Sequence, residues 1–460
     1  MAQQKVDPIS LRTDTGIFPG RERSSISKKL SFFYSFVFIK LMHLVFLVVS
    51  VFNEKTRRGL KGRKNLFSDL EKSLLQVPPD KRIWFHASSL GEFEQAKPVI
   101  EILKHSGYHI IVSFFSPSGY EHSLNYSMAD VITYIPLDSI KNGRRFVQLI
   151  KPKVVVVMRY DLWMNHLIAA KEFGAKIIVA DATFSMKLFN RAEFLRDFYR
   201  KLYSLADIIL PTTSEHKKMF DFFLGKDISI IAGDTRFDRV YSRSFSSNAS
   251  GSPLDGLIGF GESNAKDARR IVMVLGSTWR EDVDVLGEGL KKLSKKIPAL
   301  RVLIVPHEPT VDEVQRLLNK FPTARVLSEI TKGTASENKP FNFCIVDRVG
   351  LLTQLYVLGN IAYVGGGFGA GVHSVLEPAV YGIPIITGPR IERSDEAMQL
   401  MQDGALFFVK DSASAYKTML KMVQDESARK KAGKIAKAFV DQHLGASAIV
   451  AEQIAKFCGD

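Results

Sequence analysis

From residue 82 onward, short apolar runs alternate with polar, helix-forming stretches, and this alternation constrains the fold more than any other feature of the chain. The runs Arg82–Phe85, His109–Phe114, Val131–Ile135, Val154–Met158, Lys176–Ala180, Asp207–Leu210 and Ile228–Ala232 are rich in Val, Ile or Phe. Strands that read as continuous hydrophobic runs, each followed by a helix, are the pattern of βαβ units and a parallel sheet covered on both faces. Residues 241–270 break the rhythm with a stretch rich in Ser, Gly and Asn, which reads as a linker. It resumes at Ile271–Leu275, Arg301–Val305, Ala324–Leu327, Phe343–Val346, Ile361–Val364, Ile383–Ile386 and Ala405–Val409. The expectation is α/β: two Rossmann-like domains of similar size facing a cleft, with ligands outside the carboxyl ends of the strands.

Upstream, residues 31–52 form a run of about 20 mostly apolar residues, long enough to span a bilayer core. Lys40 and His43 interrupt it near its centre, which is costly in hydrocarbon. Lys55, Arg57, Arg58, Lys61, Arg63 and Lys64 follow it, and Arg21, Arg23, Lys28 and Lys29 precede it. Basic residues on both flanks leave a single span and an in-plane anchor both open, with a soluble core helix as the third reading. The net charge of +15 suits an acidic partner, whether nucleic acid, an anionic membrane or a phosphorylated substrate. The basic residues are not interleaved with stacking aromatics, so no nucleic-acid module is expected. Two cysteines without a CxxC argue against a disulfide framework or a zinc site, and no metal is expected to be required. The division expected is an extension at 1–30, a membrane anchor and basic segment at 31–65, a first Rossmann-like domain at 66–240, the linker at 241–270, and a second such domain at 271–460, whose final helix could pack back on the first.

Several turns carry chemistry-bearing residues. In "WFHASSLGEFEQAKPVI" an apolar run ends at His86, and Glu92 follows a small-residue turn at the start of a helical pattern. On the residues alone, Glu92 is either a helix cap or a functional carboxylate. In "VVVVMRYDLWMN" Arg159 and Asp161 lie at a strand's carboxyl end, as a functional pair or a local salt bridge. "DATFS" and "GDTRFDRV" follow strands in the same way. In the second half, "AYVGGGFGAGVHSVLEPAVYGIPIITGPR" sets Gly365, Gly366, Gly367, Gly369 and Gly371 just after a strand. Such a loop lets backbone approach a ligand, and "HSVLEPAVYG" with His373 and Ser374 then reads as a helix whose start favours an anion. Glu377, one turn in, suits a ribose diol or is a helix-start charge. Gly276, Ser277 and Thr278 in "VLGSTWRED" read as a phosphate-holding turn or as an N-cap with Glu281 completing a capping box. His307, in "IVPHEPT", is a lone histidine just past a strand.

Together these stretches resemble the Kdo transferases, which add 3-deoxy-D-manno-oct-2-ulosonic acid (Kdo) to lipid A precursor. "HASSLGEFEQAKPVI" looks like the family's "HAASVGE…A..PLI", "MRYDLWMN" is similar to "ETELWPN", "GDTRFD" to "GNLKFD", and "GSTWRED" to "ASTHEGE". "GGGFGAGVHSVLEPAVYGIPIITGP" resembles "GGS…GGHNPLEPAALGVPVLFGP". The five occur in order, and the resemblance covers roughly residues 35 to 455. It implies the GT-B glycosyltransferase fold, CMP-Kdo as donor substrate held mainly by the C-terminal domain, and a phosphorylated lipid acceptor (lipid IVA) held by the N-terminal domain at the anionic cytoplasmic face of the inner membrane. No further cofactor is implied. Glu92 matches the family's catalytic base and Asp161 the second glutamate of "ETELWPN". Gly276, Ser277, Thr278, His307, Gly366, Gly367, His373, Ser374 and Glu377 fall on the donor side. The transfer would invert the anomeric carbon, with one base and no covalent intermediate.

The chain departs from the pattern at three places. Arg159 replaces the first glutamate of "ETELWPN", "VPHEPT" lacks the arginine of "PRHPER", and Ser374 stands for the asparagine of "HNPLEP". Alternatives on the same fold are a GT-B enzyme using a UDP-sugar and a nucleotide-sugar epimerase. A non-catalytic basic protein is the third.

Overall fold

The computed structural model describes residues 33–246, 270–331 and 341–459. The extension at 1–30 and nearly all of the expected linker therefore lie outside the described residues. Two all-parallel sheets organise the chain. The first holds β1 (Arg82–Ala87), β2 (His109–Phe114), β3 (Val131–Tyr134), β4 (Val154–Met158), β5 (Lys176–Ala182) and β6 (Ile208–Pro211), in the order β3-β2-β1-β4-β5-β6. The second holds β7 (Ile271–Thr278), β8 (Leu300–Pro306), β9 (Arg325–Val326), β10 (Phe343–Ile345), β11 (Ile361–Val364), β12 (Ile385–Thr387) and β13 (Leu406–Phe408), in the order β13-β12-β11-β7-β8-β10-β9. Helices cover both faces, so the central strands are buried throughout. Val154–Met158 and Ile83–Ala87 show no polar face to solvent. That double burial is why these strands read as unbroken apolar runs rather than as alternating ones.

Each sheet reverses its winding once, between β1 and β4 in the first and between β7 and β11 in the second. At such a reversal the helices after the two central strands leave on opposite faces, and a crevice opens at the carboxyl ends. Glu92 follows β1 and Asp161 follows β4. Gly276–Thr278 close β7, and the glycine loop follows β11. The candidate residues therefore cluster at the two switch points.

One expected strand is absent. Residues 228–232 run beside β6 without forming a regular strand: one parallel bridge, Ile209 to Ser229, is flanked by backbone hydrogen bonds from Ile209 to Ile228 O, Ile230 to Ile209 O and Ala232 to Pro211 O, with Ile230 and Ile231 exposed. A run at the sheet edge has a partner on one side only and loses regular pairing first. The expected linker also starts too early. Residues 241–246 belong to a helix, Thr235–Ser246, whose Phe237 and Val240 pack among Val364, Leu376 and Phe439 of the second domain.

Helix Thr235–Ser246 also touches the first domain. Arg239 ion-pairs with Glu94 at 2.7 Å, and Asp238 accepts hydrogen bonds from the Gly445 and Ser447 N–H groups at 2.7 and 2.6 Å. Those last two begin helix Ala446–Cys458. Its Val450, Ala451 and Ile454 are buried with Ile83, Phe85 and Val156, in the core of the first sheet. The chain thus crosses between domains at two places.

The apolar N-terminal segment is helical from Phe33 to Phe52, and Tyr34–Phe52 is long and apolar enough to cross a membrane by length and composition. One face rests on the first domain. The Tyr34 hydroxyl donates to Asp138 Oδ2 at 2.7 Å, Ser35 Oγ to Asn165 Oδ1 at 2.9 Å, Ile39 is buried, and the Phe46 ring lies 5.9 Å from Phe115. The other face exposes Phe36, Leu41, Leu44, Val45, Val48 and Phe52.

Candidate active site

The first domain contributes a turn built by the sequence "HASSLGEF". Ser89 has extended backbone and caps helix Leu90–His105, its Oγ accepting from the Glu92 N–H. Glu92 Oε2 reaches back to accept from the Ser88 N–H and from Ser88 Oγ at 2.7 Å. The carboxylate is buried, at 6% exposure. Glu92 is therefore a cap through one oxygen, as a carboxylate in a first helical turn should be. A cap with a carboxylate still has a second oxygen, so the two readings of this residue are compatible.

Next to it, on the neighbouring strand, Asp161 Oδ2 accepts from His86 Nε2 at 2.9 Å and from Trp163 Nε1 at 3.1 Å. His86 Nδ1 lies 2.9 Å from Ser113 Oγ, which itself accepts from Trp84 Nε1 at 2.8 Å. The network is satisfied by a neutral imidazole that donates from Nε2 and accepts the Ser113 hydroxyl proton at Nδ1. His86 is almost fully buried, and it fixes Asp161 at the mouth of the cleft. Arg159 does not pair with Asp161 in this arrangement. The local salt bridge is replaced by the His86–Asp161 contact.

One strand further along, Asp181 is fully buried. It accepts from the Thr235 N–H at 3.2 Å and from the Thr235 hydroxyl. Burial first, and then the nearby Asp234 carboxylate, push its carboxyl up to about 7, against the Thr235 hydrogen bonds and Arg159. The folded protein thus keeps a proton that the unfolded chain sheds near pH 4, so stability falls as pH rises from about 4 to 7. Asp181→Asn removes that dependence and tolerates the left-handed backbone of this residue (φ 50°). Thermal unfolding at pH 5 and pH 8 should show the variant ahead of the parent by several degrees at pH 8, with a smaller gap at pH 5.

In the second domain, β7 runs on through Gly276 and Ser277 to Thr278, with a register shift and Ser277 in the left-handed region (φ 53°). The N-cap of helix Arg280–Lys296 is consequently Trp279, and the acid at its third position is Asp282, not Glu281. Asp282 is fully buried and accepts from the Trp279 N–H (2.8 Å), the Gly366 N–H (2.9 Å) and the Tyr363 hydroxyl (2.7 Å). It ties the β7 turn to the glycine loop, a role the sequence reading missed.

The glycine loop is knit to itself. Gly369 and Gly371 donate to Gly366 O, and His373 donates to Gly365 O. A Cβ on Gly365 would sit 2.2 Å from Ser277 O, and one on Gly367 2.6 Å from Gly388 N, so these glycines serve close backbone approach. The expected helix after it is one turn only, Leu376–Ala379, with no side-chain cap. Pro378 lies inside it and Gly382 (φ 69°) ends the segment. A single turn has little dipole, so the expectation of an anion on that helix start is corrected.

Arg243, Ser277, Tyr356, His373, Ser374 and Glu377 line a cavity of roughly 300 Å³. Burial raises the Glu377 carboxyl above the usual carboxylate range, Arg243 lowers it, and Glu94 of the first domain raises it further. Beside the cavity three rings stack: Trp279 on His307 at 4.5 Å, and His307 on His373 at 4.6 Å. Trp279 Nε1 donates to His373 Nε2 at 2.8 Å, and burial and His307 hold the His373 pKa below its ordinary value, so that ring is neutral. Of the residues expected on the donor side, Ser277, His373, Ser374 and Glu377 line this cavity and His307 stacks beside it, whereas Gly276, Thr278, Gly366 and Gly367 are buried behind it and do not line it. Glu92 and Asp161 lie on the opposite domain.

The family model of 3-deoxy-D-manno-octulosonic-acid transferase matches residues 56–239. A protein of that name from Aquifex aeolicus is 27% identical over 72% of this chain and 82% of its own length. One from Chlamydophila psittaci is 29% identical over 70% and 73%. The chain is thus similar to the Kdo transferases over its first domain and over most of its length, in agreement with the resemblance carried by the five sequence stretches. Among solved structures, a UDP-GlcNAc 2-epimerase from Neisseria meningitidis bound to UDP-GlcNAc superposes with a TM-score of 0.59 at 15% identity, over 82% of this chain and all of that chain. A glycosyltransferase from Rickettsia africae gives 0.53 at 13% identity, over 82% and 98%. At that identity the likeness speaks to the fold alone, which is the expected two-domain GT-B arrangement.

Proposed function

We propose that the protein moves Kdo from CMP-Kdo to the phosphorylated lipid A precursor lipid IVA in lipopolysaccharide synthesis, with inversion and with Glu92 as general base. The supporting observation is that one helix, Thr235–Ser246, touches both half-sites: its Arg239 pairs with Glu94, two residues beyond Glu92, and its Arg243 lines the Glu377 cavity. The acceptor hydroxyl would attack the anomeric carbon of Kdo as its proton passes to Glu92. The bond from that carbon to the CMP phosphate oxygen breaks, and CMP leaves with the electron pair as a phosphate monoester. A carboxylate at the attacking oxygen serves this step directly, and its negative charge favours an oxocarbenium-like transition state. Asp161, held by His86, orients the substrate. The stacked Trp279, His307 and His373 rings and the Glu377 pocket suit a nucleoside.

The anchor reading becomes an in-plane helix on the cytoplasmic face of the inner membrane. Its start and its middle both rest on the first domain, while a row of apolar side chains and then Lys55, Arg57, Arg58 and Lys61 face outward. The test is transfer from CMP-Kdo generated in situ to tetraacylated lipid A precursor in detergent, read by mass spectrometry, with heat protection by CMP against UDP alongside. Product mass raised by one or more Kdo units and selective protection by CMP are expected. Protection by UDP alone would move the reading to a UDP-sugar enzyme.

A further inference from the structure

Beside the Glu92 turn lies a larger cavity, roughly 740 Å³, whose lining no step of the proposed reaction uses. It opens at the carboxyl ends of β5 and β6, and its far wall comes from the second domain. From β1, which leads to Glu92, to β5 is two strand spacings, about 10 Å. The cavity therefore adjoins the reacting centre and does not overlap it.

Its lining is rich in donors. Arg159 stands at the end of β4 with its backbone in the left-handed region (φ 64°), pinned there by its N–H to Ala180 O at 2.8 Å. Non-glycine residues are rarely held so, and such positions concentrate at functional sites. Its Nε is buried and has no hydrogen-bond partner, and among the described residues no carboxylate forms an ion pair with it. Buried donors without partners are uncommon, and a cationic one more so. Thr212, Thr213 and His216 sit on the same wall, with His216 Nδ1 accepting from the Phe184 N–H so that its proton is on Nε2. Arg393 faces from the other domain. Of the acids on the lining, Asp234 and Glu396 are engaged by Arg236, while Asp395 lies near His216; the buried Asp181 behind them is engaged by Thr235.

We propose that Arg159, with Arg393 on the opposite wall, binds an acid group of a substrate, a sugar carboxylate or a sugar phosphate, in this interdomain cavity. Because the two arginines belong to different domains, an anion between them would also favour the closed cleft. The inference rests on the transferase reading for the identity of the acid, since the donor sugar brings a carboxylate and the acceptor a phosphate. Planar guanidinium recognises either group through paired hydrogen bonds, which an ammonium cannot reproduce.

The experiment titrates free Kdo, glucosamine 1-phosphate and neutral N-acetylglucosamine into the full-length protein in detergent, by ligand-observed NMR, with and without saturating CMP. At least one of the two acids should bind the parent chain and the neutral sugar should not. Arg159→Ala and Arg159→Asn should weaken that acid about tenfold or more, and Arg159→Lys less. Asn suits the left-handed backbone, so its loss of binding would not reflect misfolding. Kdo alone binding assigns the carboxylate, and glucosamine 1-phosphate alone assigns the phosphate. Equal affinity in parent and variants, or no binding of either acid at tens of millimolar while CMP binds normally, overturns the proposal. Failure of CMP to bind the parent chain counts instead against the donor assignment.

Discussion

Glu92→Gln should lower Kdo transfer by roughly a hundred- to ten-thousand-fold while leaving the melting temperature within a degree or so of the parent. The two halves of that result follow from the two jobs of this side chain. As a cap, Glu92 supplies an acceptor to the Ser88 N–H and hydroxyl. The glutamine amide oxygen supplies the same acceptor at the same reach, so the start of helix Leu90–His105 keeps its partners. As the proposed base, Glu92 would take a proton, which an amide cannot. Glu92→Ala is the contrasting variant: it removes both, and should add about 1 kcal/mol of destabilisation from the lost cap. CMP affinity should be unchanged in both, since the pocket of Glu377 is on the other domain. The measurement is initial-rate transfer beside calorimetry and CMP titration on the same preparations. If Glu92→Gln transferred at the parent rate, the carboxylate would be a cap and nothing more.

Asp282→Ala should destabilise the second domain by about 3–5 kcal/mol and abolish CMP binding at ordinary temperature. Three donors converge on this one buried carboxylate: the Trp279 and Gly366 N–H groups and the Tyr363 hydroxyl. Alanine leaves all three without an acceptor in a site closed to water. The cost is then desolvation without compensation, at about 1–3 kcal/mol for each group left unpaired, partly relieved by relaxation. For a unit of this size that corresponds to a melting shift on the order of 10 °C. Asp282→Asn keeps an acceptor oxygen and should recover much of the stability. It also turns a charged acceptor into a neutral one, so the glycine loop should be held less firmly and CMP bound more weakly. A fall in CMP affinity for Asp282→Asn, larger than its fall in stability explains, separates loop positioning from bulk folding.

Why some of this was readable from the sequence and some was not has a physical answer. Strands such as Val154–Met158 announce themselves because both faces are buried and every position must be apolar. Residues 228–232 carry the same composition at an edge, where pairing on one side only does not hold a regular strand. Glu92 and Asp161 were visible because each follows its strand directly. The capping acid of helix Arg280–Lys296 was misread by one position, since nothing in "LGSTWRED" says that β7 continues through Thr278. Asp282 then takes the place expected of Glu281. The Trp279–His307–His373 stack was out of reach for another reason: its members follow β7, β8 and β11, and only the strand order makes them neighbours. The short helix after the glycine loop was overestimated because Pro378 is tolerated in a first turn and gives no warning of an early end.

Helix Ala446–Cys458 fills the core of the first sheet with Val450, Ala451 and Ile454, although it follows every strand of the second sheet in the chain. A ribosome adding roughly 5–20 residues per second takes on the order of 10–50 s to go from the end of β6 to this helix. Through that interval the nascent first domain has all six strands but an open apolar face over Ile83 and Val156. The apolar N-terminal helix is already out, and with the in-plane anchor proposed above the incomplete domain would wait beside lipid. Final assembly of the first domain is thereby tied to synthesis of the second. A chain cut short anywhere in its second half would lack the closing helix, and would carry its Glu92 turn on an unfinished core.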